Sequence, residues 1–165
     1  QRQMCIRDSL YAGLMVDAEG NPSVIEYNCR FGDPETQPIM HRLRGDLGAL
    51  CLAALDGRLD EMSADWDPRP AVGVVLAAGG YPGSYEKGRE IHGLSANWPA
   101  TTKVFHAGTQ QTGDSVVTQG GRVLCVSALG DSIADAIAAA YAGVDQISWE
   151  GMICRRDIGW RAIDR

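Results

Sequence analysis

An α+β fold in two unequal units is what the sequence predicts, and three observations predict it. Runs rich in β-branched and aliphatic residues, bounded by Gly, Pro, Asn and Asp, are short and numerous, whereas few stretches carry the 3.6-residue period of a helix. A polar connector within 58–70, containing DEMSADWDPRP, interrupts the apolar pattern with two prolines and marks a boundary between structural units. Beyond it one helical stretch stands among several short strands, so mostly antiparallel pairing is expected there.

Taken in order, residues 1–9 read QRQMCIRDS, with mixed polarity, no period and no capping residue, and are expected to be a non-native leader. LYAGLMV and SVIEYN then read as two strands of a hairpin, because DAEGNP between them supplies turn conformations through Gly20, Asn21 and Pro22. Gly32, Asp33 and Pro34 stop the second strand. Thr36 is the expected N-cap of a helix that tolerates Pro38 in its first turn, turns Ile39, Met40 and Leu43 inward and ends at Gly45. Asp46 caps a second helix, whose Leu47, Leu50, Cys51, Ala54 and Leu55 keep the i, i+3, i+4, i+7, i+8 spacing until Gly57.

Past the connector, AVGVVLAA reads as a buried strand and GGYPGSYEKG as a glycine-rich loop. TKVFHAGT, DSVVT and GRVLCVSALG read as further strands, the last two predicted to form a hairpin around Gln119-Gly120-Gly121. A final helix starts at Asp131 or Ser132 and runs to about Ile147, with Ile133, Ile137, Tyr141 and Val144 as its apolar stripe. No internal repeat and no low-complexity segment is present.

Composition excludes several function classes. The 15 basic and 21 acidic residues give a net charge of −6 without a run of either sign, so no footprint for nucleic acid or an anionic membrane is written here. A phosphate-bearing ligand would have to be held locally, by a metal, single cations or backbone amides. Five cysteines, with no C-x-x-C pair and an odd count, suggest neither a zinc site nor a disulfide framework, and reduced thiols in the cytoplasm are expected. No apolar run approaches the roughly 20 residues that span a bilayer, and the opening QRQMCIRDS lacks the apolar h-region of a secretory signal.

The stretch VIEYNCRFGDPE carries the pattern that could be chemistry. On a strand, Glu26, Asn28 and Arg30 fall on one face, while Ile25, Tyr27 and Cys29 fall on the other, Cys29 reading as core. A carboxylate and an amide oxygen two residues apart offer a hard divalent cation two ligands, the remaining positions going to phosphate oxygens. Arg30 could then hold a phosphoryl group that shifts charge during transfer. The same three side chains could equally be the solvated face of an edge strand, and spacing alone favours that reading. Gly79, Gly80, Tyr81, Pro82 and Gly83 could present backbone amides to an anion with Lys87 nearby, or could only shape a tight loop. His41, His92 and His106 have no metal-site spacing and read as structural or solvated.

VIEYNCRFGDPETQPIM, AVGVVLAAGGYPGSYEKG, KVFHAGT, GGRVLCVSALG and RRDIGWRAI together resemble the C-terminal part of the phosphoribosylamine-glycine ligase (glycinamide ribonucleotide synthetase) family, within the ATP-grasp superfamily. The resemblance runs from about Leu10 to Ile163. It implies the C-terminal part of an ATP-grasp domain over 10–66, a strand hairpin plus two helices, followed by a small, mostly antiparallel α+β C-terminal domain over 71–165. It also implies that ATP phosphorylates glycine to glycyl phosphate, and that 5-phosphoribosylamine displaces phosphate to give glycinamide ribonucleotide and ADP in de novo purine biosynthesis. On that likeness Glu26 and Asn28 match the family's Mg²⁺ or Mn²⁺ ligands and Arg30 its arginine beside the transferred phosphoryl group. Asp33, Glu35 and Thr36 match its substrate-facing loop, and Gly79, Gly80, Tyr81 and Lys87 are expected to bind substrate.

The family's upstream ATP-gripping portion has no counterpart in these 165 residues, so the chain is expected to be incomplete and inactive alone, within a monomeric, cytoplasmic parent. Two other readings stay open. One is another ATP-grasp carboxylate-amine ligase or a biotin-dependent carboxylase; the other is a non-catalytic module, against which the retention of all three polar side chains speaks.

Overall fold

The computed structural model describes residues 10–163, so the leader expected over 1–9 lies outside the described residues. The chain divides into two compact units, one made of the described residues up to Thr36 together with Leu43–Trp66, the other of Gln37–Arg42 and Asp67 onward.

The first unit opens on the expected hairpin, β1 (Tyr11–Val16) paired antiparallel with β2 (Pro22–Asn28). Asp17 closes the turn by accepting from the Asn21 amide at 2.8 Å and the Asn21 side chain at 3.0 Å, while Gly20 supplies a φ of +88°. After Gly13 the register slips, Leu14 facing Val24, and Ile25 is left without a cross-strand partner, a bulge beside Glu26. Among the described residues the hairpin has no further strand in this unit, and its apolar side chains stand in the open: Met15, Ile25 and Tyr27 are each more than 60% exposed. Cys29 is exposed for the same reason, which corrects its reading as core.

The second helix of the first unit, α2 (Leu47–Leu55), begins where Asp46 accepts from the Ala49 amide at 3.2 Å, as its capping residue type predicts. Leu47, Leu50, Cys51 and Ala54 line an apolar groove with Phe31, Leu59 and Met62. Leu55 departs from the predicted stripe: it is exposed, and Ala53 is the buried residue of the helix. The unit closes through a bridge between Leu43 and Trp66 and the Arg44 amide donating to the Asp65 carbonyl at 2.9 Å.

The second unit is built on a four-stranded antiparallel sheet in the order β4-β7-β3-β8, from β3 (Ala71–Ala78), β4 (Thr102–His106), β7 (Arg122–Leu129) and β8 (Met152–Cys154). One face takes α3 (Ile133–Val144), begun by a capping box in which Ser132 and Asp135 satisfy each other's backbone amides. The residues of α3 that meet the sheet are small, Ala136, Ala140 and Gly143, with Val144; the expected Ile133, Ile137 and Tyr141 flank that contact rather than fill it. Gly143 must be small, since a Cβ there would sit 2.8 Å from Val126 Cγ1. The helix stops at Val144, short of the expected Ile147, which is itself buried past the end.

The opposite face of the sheet takes α1 (Thr36–Arg42), in which Thr36 is the first helical residue rather than the expected N-cap, its hydroxyl donating back to the Gly32 carbonyl, and which ends before Gly45. Pro38 rests where Gly73 leaves room, for a Cβ on Gly73 would lie 3.2 Å from both Pro38 Cδ and Cys125 Sγ. Arg42 donates to the Asp67 carbonyl from Nε at 3.1 Å and Nη2 at 3.0 Å.

Coverage on both faces explains why GRVLCVSALG shows no alternation and why its predicted hairpin partner is wrong. β7 is buried along nearly its whole length and takes both neighbours, β3 and β4, from the sheet. DSVVT, as β6 (Ser115–Thr118), pairs instead with β5 (Thr109–Thr112) across the two-residue turn Gly113-Asp114, where Gly113 holds a φ of +57°.

Candidate functional site

Glu26 and Asn28 stand on one face of β2, as their spacing requires, and touch: Asn28 Nδ2 donates to Glu26 Oε1 at 3.1 Å. Register adds two residues that spacing within one strand could not show. Tyr11 pairs with Asn28 and Gly13 with Glu26, so both belong to the same face. A Cβ on Gly13 would lie 3.3 Å from Glu26 Cγ, so the glycine leaves the carboxylate its room. Burial, then the carboxylates of Glu35 and Glu26, push the Tyr11 hydroxyl above its ordinary value, which already leaves a tyrosine protonated at neutral pH.

Arg30 lies beyond the end of β2, in a bend, so the expected row of three on one strand is two on the strand and one past it. Its Nη1 donates to the Phe31 carbonyl at 3.1 Å and the side chain is exposed. The turn then doubles back. Gly32 is buried against the Glu35 carboxylate and the Tyr11 ring, whose Cζ a Cβ would meet at 3.1 Å, so a larger residue there would have to displace the Glu35 side chain. The Thr36 amide donates to the Gly32 carbonyl at 3.1 Å, and its hydroxyl donates to the same oxygen. Asp33 and Glu35 are exposed in this turn, and the Asp33-Pro34 peptide is cis. Glu26, Asn28, Glu35 and Tyr11 are thus gathered, with Arg30, Asp33 and Thr36 in the adjoining turn.

The donor set fits a hard cation. Glu26 and Asn28 offer two oxygens on one surface, and no group of three His, Cys, Asp or Glu converges among the described residues. Two protein oxygens are what an ion such as Mg²⁺, which completes its shell with water and phosphate oxygens, would take from such a surface.

Gly79, Gly80, Tyr81 and Lys87 belong to the second unit. Their glycines are demanded by the loop's own packing: a Cβ on Gly79 would lie 2.7 Å from the Gly151 carbonyl oxygen, and Gly80 holds a φ of +95° against the Ser84 carbonyl. The Tyr81 amide donates to the Ala78 carbonyl at 3.1 Å, and the Tyr81 and Tyr85 rings close over Gly121, which has no room for a side chain. Arg89 fastens the returning end of the loop, pairing with Glu150 at 2.7 Å and with Glu86. Lys87 is exposed.

Comparison with known proteins gives these residues a context. The family described as phosphoribosylglycinamide synthetase, C domain, matches residues 71–161, and that described as phosphoribosylglycinamide synthetase, ATP-grasp (A) domain, matches residues 1–36. The chain is 64% identical over 156 residues to a phosphoribosylamine–glycine ligase of Vibrio cholerae, covering 94% of this chain and 36% of that protein. It is 62% identical over 157 residues to the corresponding ligase of Salmonella typhimurium, covering 94% of this chain and 37% of that one. It therefore spans about a third of the length of the curated relatives it matches.

Among solved structures, phosphoribosylamine–glycine ligase from Thermotoga maritima superposes with a TM-score of 0.70 at 38% identity, over 90% of this chain and 36% of that one. The biotin carboxylase domain of a Hydrogenobacter thermophilus 2-oxoglutarate carboxylase superposes with a TM-score of 0.61 at 14% identity, over 87% of this chain and 32% of that one, a likeness of fold alone. The expected α+β architecture with an ATP-grasp portion agrees with both neighbours.

Proposed function

The chain belongs to the phosphoribosylglycinamide synthetase family, and we propose that it supplies the metal-side portion of an ATP-dependent ligase. The reaction joins glycine to 5-phosphoribosylamine through a glycyl phosphate, yielding glycinamide ribonucleotide, ADP and phosphate, in de novo purine biosynthesis. The observation that carries this reading is the hydrogen-bonded Glu26–Asn28 pair on the face it shares with Tyr11, followed at once by Arg30 and the Gly32–Thr36 turn.

A carboxylate is a poor electrophile until it is phosphorylated, and neither phosphorylation nor attack by an amine needs a nucleophile from the protein. Both need the moving negative charge to be held in place. Mg²⁺ or Mn²⁺ held by Glu26 and Asn28 would neutralise phosphate oxygens of ATP. Arg30 offers two-pronged donation to the phosphoryl group as its charge spreads. Asp33, Glu35 and Thr36 would orient glycine or the amine, Asp33 and Glu35 through their negative charge. Gly79, Gly80 and Tyr81 would meet the substrate through the loop backbone and Lys87 through its ammonium group. Tyr11, protonated at neutral pH, would add a donor beside the metal-side pair. A monomeric, cytoplasmic enzyme belongs to the same reading; no helix among the described residues is long and apolar enough to cross a membrane.

The test places this sequence in the Vibrio cholerae relative, replacing the matching 156 residues. Glycine-dependent ADP release should fall on the order of 100-fold or more in Glu26→Ala, with a comparable loss in Arg30→Ala. Unaltered thermal melting must accompany the loss. Turnover within about threefold of the parent in a folded Glu26→Ala protein would sink the reading.

A further inference from the structure

His41 sits at the end of α1, half-buried against the sheet, and is absorbed by none of the chemistry above. Its Nδ1 lies 3.0 Å from the hydroxyl of Ser127, a fully buried residue on the central strand β7. Its ring meets Phe105 of β4 edge-on, centroids 6.4 Å apart at 71°, with the Lys103 ammonium 5.7 Å over that Phe105 ring. Asp67 and Arg69 face the imidazole from the connector, bound to each other through Arg69 Nη2 and Asp67 Oδ2 at 2.8 Å. Arg42, the next residue, grips the Asp67 carbonyl. The helix is thus held on the sheet by Pro38 over Gly73, Arg42 on Asp67 and His41 on Ser127. Only the last of these grips changes charge near neutral pH.

We infer that His41 is a positioning residue for the substrate loop: the neutral ring seated on Ser127 keeps α1 in place, and protonation of the ring loosens it. The loop follows because it runs without a break into α1, where Thr36 closes it by bonding the Gly32 carbonyl. This rests on the reading of Asp33, Glu35 and Thr36 as substrate-facing. Burial and Lys103 hold the imidazole below its ordinary value of about 6.5, Asp67 opposing them and Arg69 assisting. For a base whose folded value is depressed, the unfolded chain binds the proton first as pH falls. Docking of α1 is therefore complete above about pH 6.5 and weakens below it.

Two measurements test this. In the 165-residue chain, protection factors of the Ile39–Leu43 amides should fall between pH 7.5 and 5.5, and His41→Asn, which keeps a polar atom near the Nδ1 position, should remove that dependence. Identical pH dependence in both proteins overturns the inference whatever the loop does. In the Vibrio cholerae relative carrying this sequence, KM for glycine or for the amine should rise on the order of threefold to tenfold over the same range while kcat keeps its profile. Ser127→Ala and His41→Asn should flatten that rise, and an unflattened rise in both also overturns it. Failure of the loop reading shows separately, as Asp33→Asn and Glu35→Gln enzymes with unchanged KM for both substrates.

Discussion

The β1–β2 hairpin and the β3–β7 pair are written in the same alphabet, antiparallel and aliphatic, and meet opposite fates. Val74, Leu76 and Val126 are sealed at 0% exposure, whereas Leu14, Met15 and Ile25 stand at 49%, 62% and 64%. Strand composition reports what a strand could bury, and only the partners decide what it does bury. β3 and β7 have α3 on one side and α1 on the other, and the hairpin has no such cover among the described residues of its unit. The difference separates two kinds of work. Among the described residues cohesion is concentrated in the covered pair, while Glu26, Asn28 and Tyr11 of the candidate site lie on the hairpin.

The sharpest way to break this contrast is to truncate one leucine from each pair. Leu76→Ala should cost about 2–5 kcal/mol in denaturant unfolding, by lost burial and a cavity that the close-packed sheet cannot refill. Leu14→Ala should stay within about 0.5 kcal/mol of the parent. Equal losses would mean that the hairpin carries cohesion after all. A smaller effect probes the site rather than the core. Gly13→Val should leave unfolding within about 0.5 kcal/mol but crowd Glu26, whose Cγ lies 3.3 Å from the position of a new Cβ. Binding of Mn²⁺, read by the paramagnetic broadening of water or by calorimetry, should then weaken on the order of threefold to tenfold. Unchanged affinity would detach Glu26 from the metal-side role.

Much of this arrangement was legible in the sequence, and what was not has identifiable physical causes. Local signals carried through wherever the determinant is local: Asp46 and Ser132 cap their helices, Gly20 turns the hairpin, and Glu26 and Asn28 share a face because strand geometry obliges them to. Errors arose where a distant neighbour decides. GRVLCVSALG and DSVVT are adjacent in sequence, yet β7 is claimed by β3 and β4, and the Gly113-Asp114 turn, a hairpin signal passed over, gives β6 to β5. Of the expected apolar stripe of α3, Val144 is buried and Ile137 and Tyr141 pack at the margin of the core, but close approach to the sheet also selects the small Ala136, Ala140 and Gly143, which an apolar period does not single out. Tyr11 was missed because its place beside Asn28 is fixed by register across the hairpin.

Tyr11 also offers the finest test of the contrast, because it asks whether the exposed hairpin is a built site or a loose ribbon. Its hydroxyl is pushed above the ordinary value of about 10 by burial, then by Glu35, then by Glu26. A built site fixes that order. Glu35→Gln should bring the Tyr11 titration midpoint, followed by NMR, down toward 10, Glu26→Gln should bring it down less, and the double substitution should still leave the part due to burial. The sign of the stability effect follows: the folded chain keeps the phenolic proton to higher pH than the unfolded chain, so this contribution is present below about pH 10 and is lost as pH rises through the folded midpoint. If neither substitution moves the midpoint, the two carboxylates do not stand where the register of β1 on β2 and the fold of the Gly32–Thr36 turn put them. The hairpin would then be an uncovered strand pair without the preorganisation that phosphoryl transfer requires.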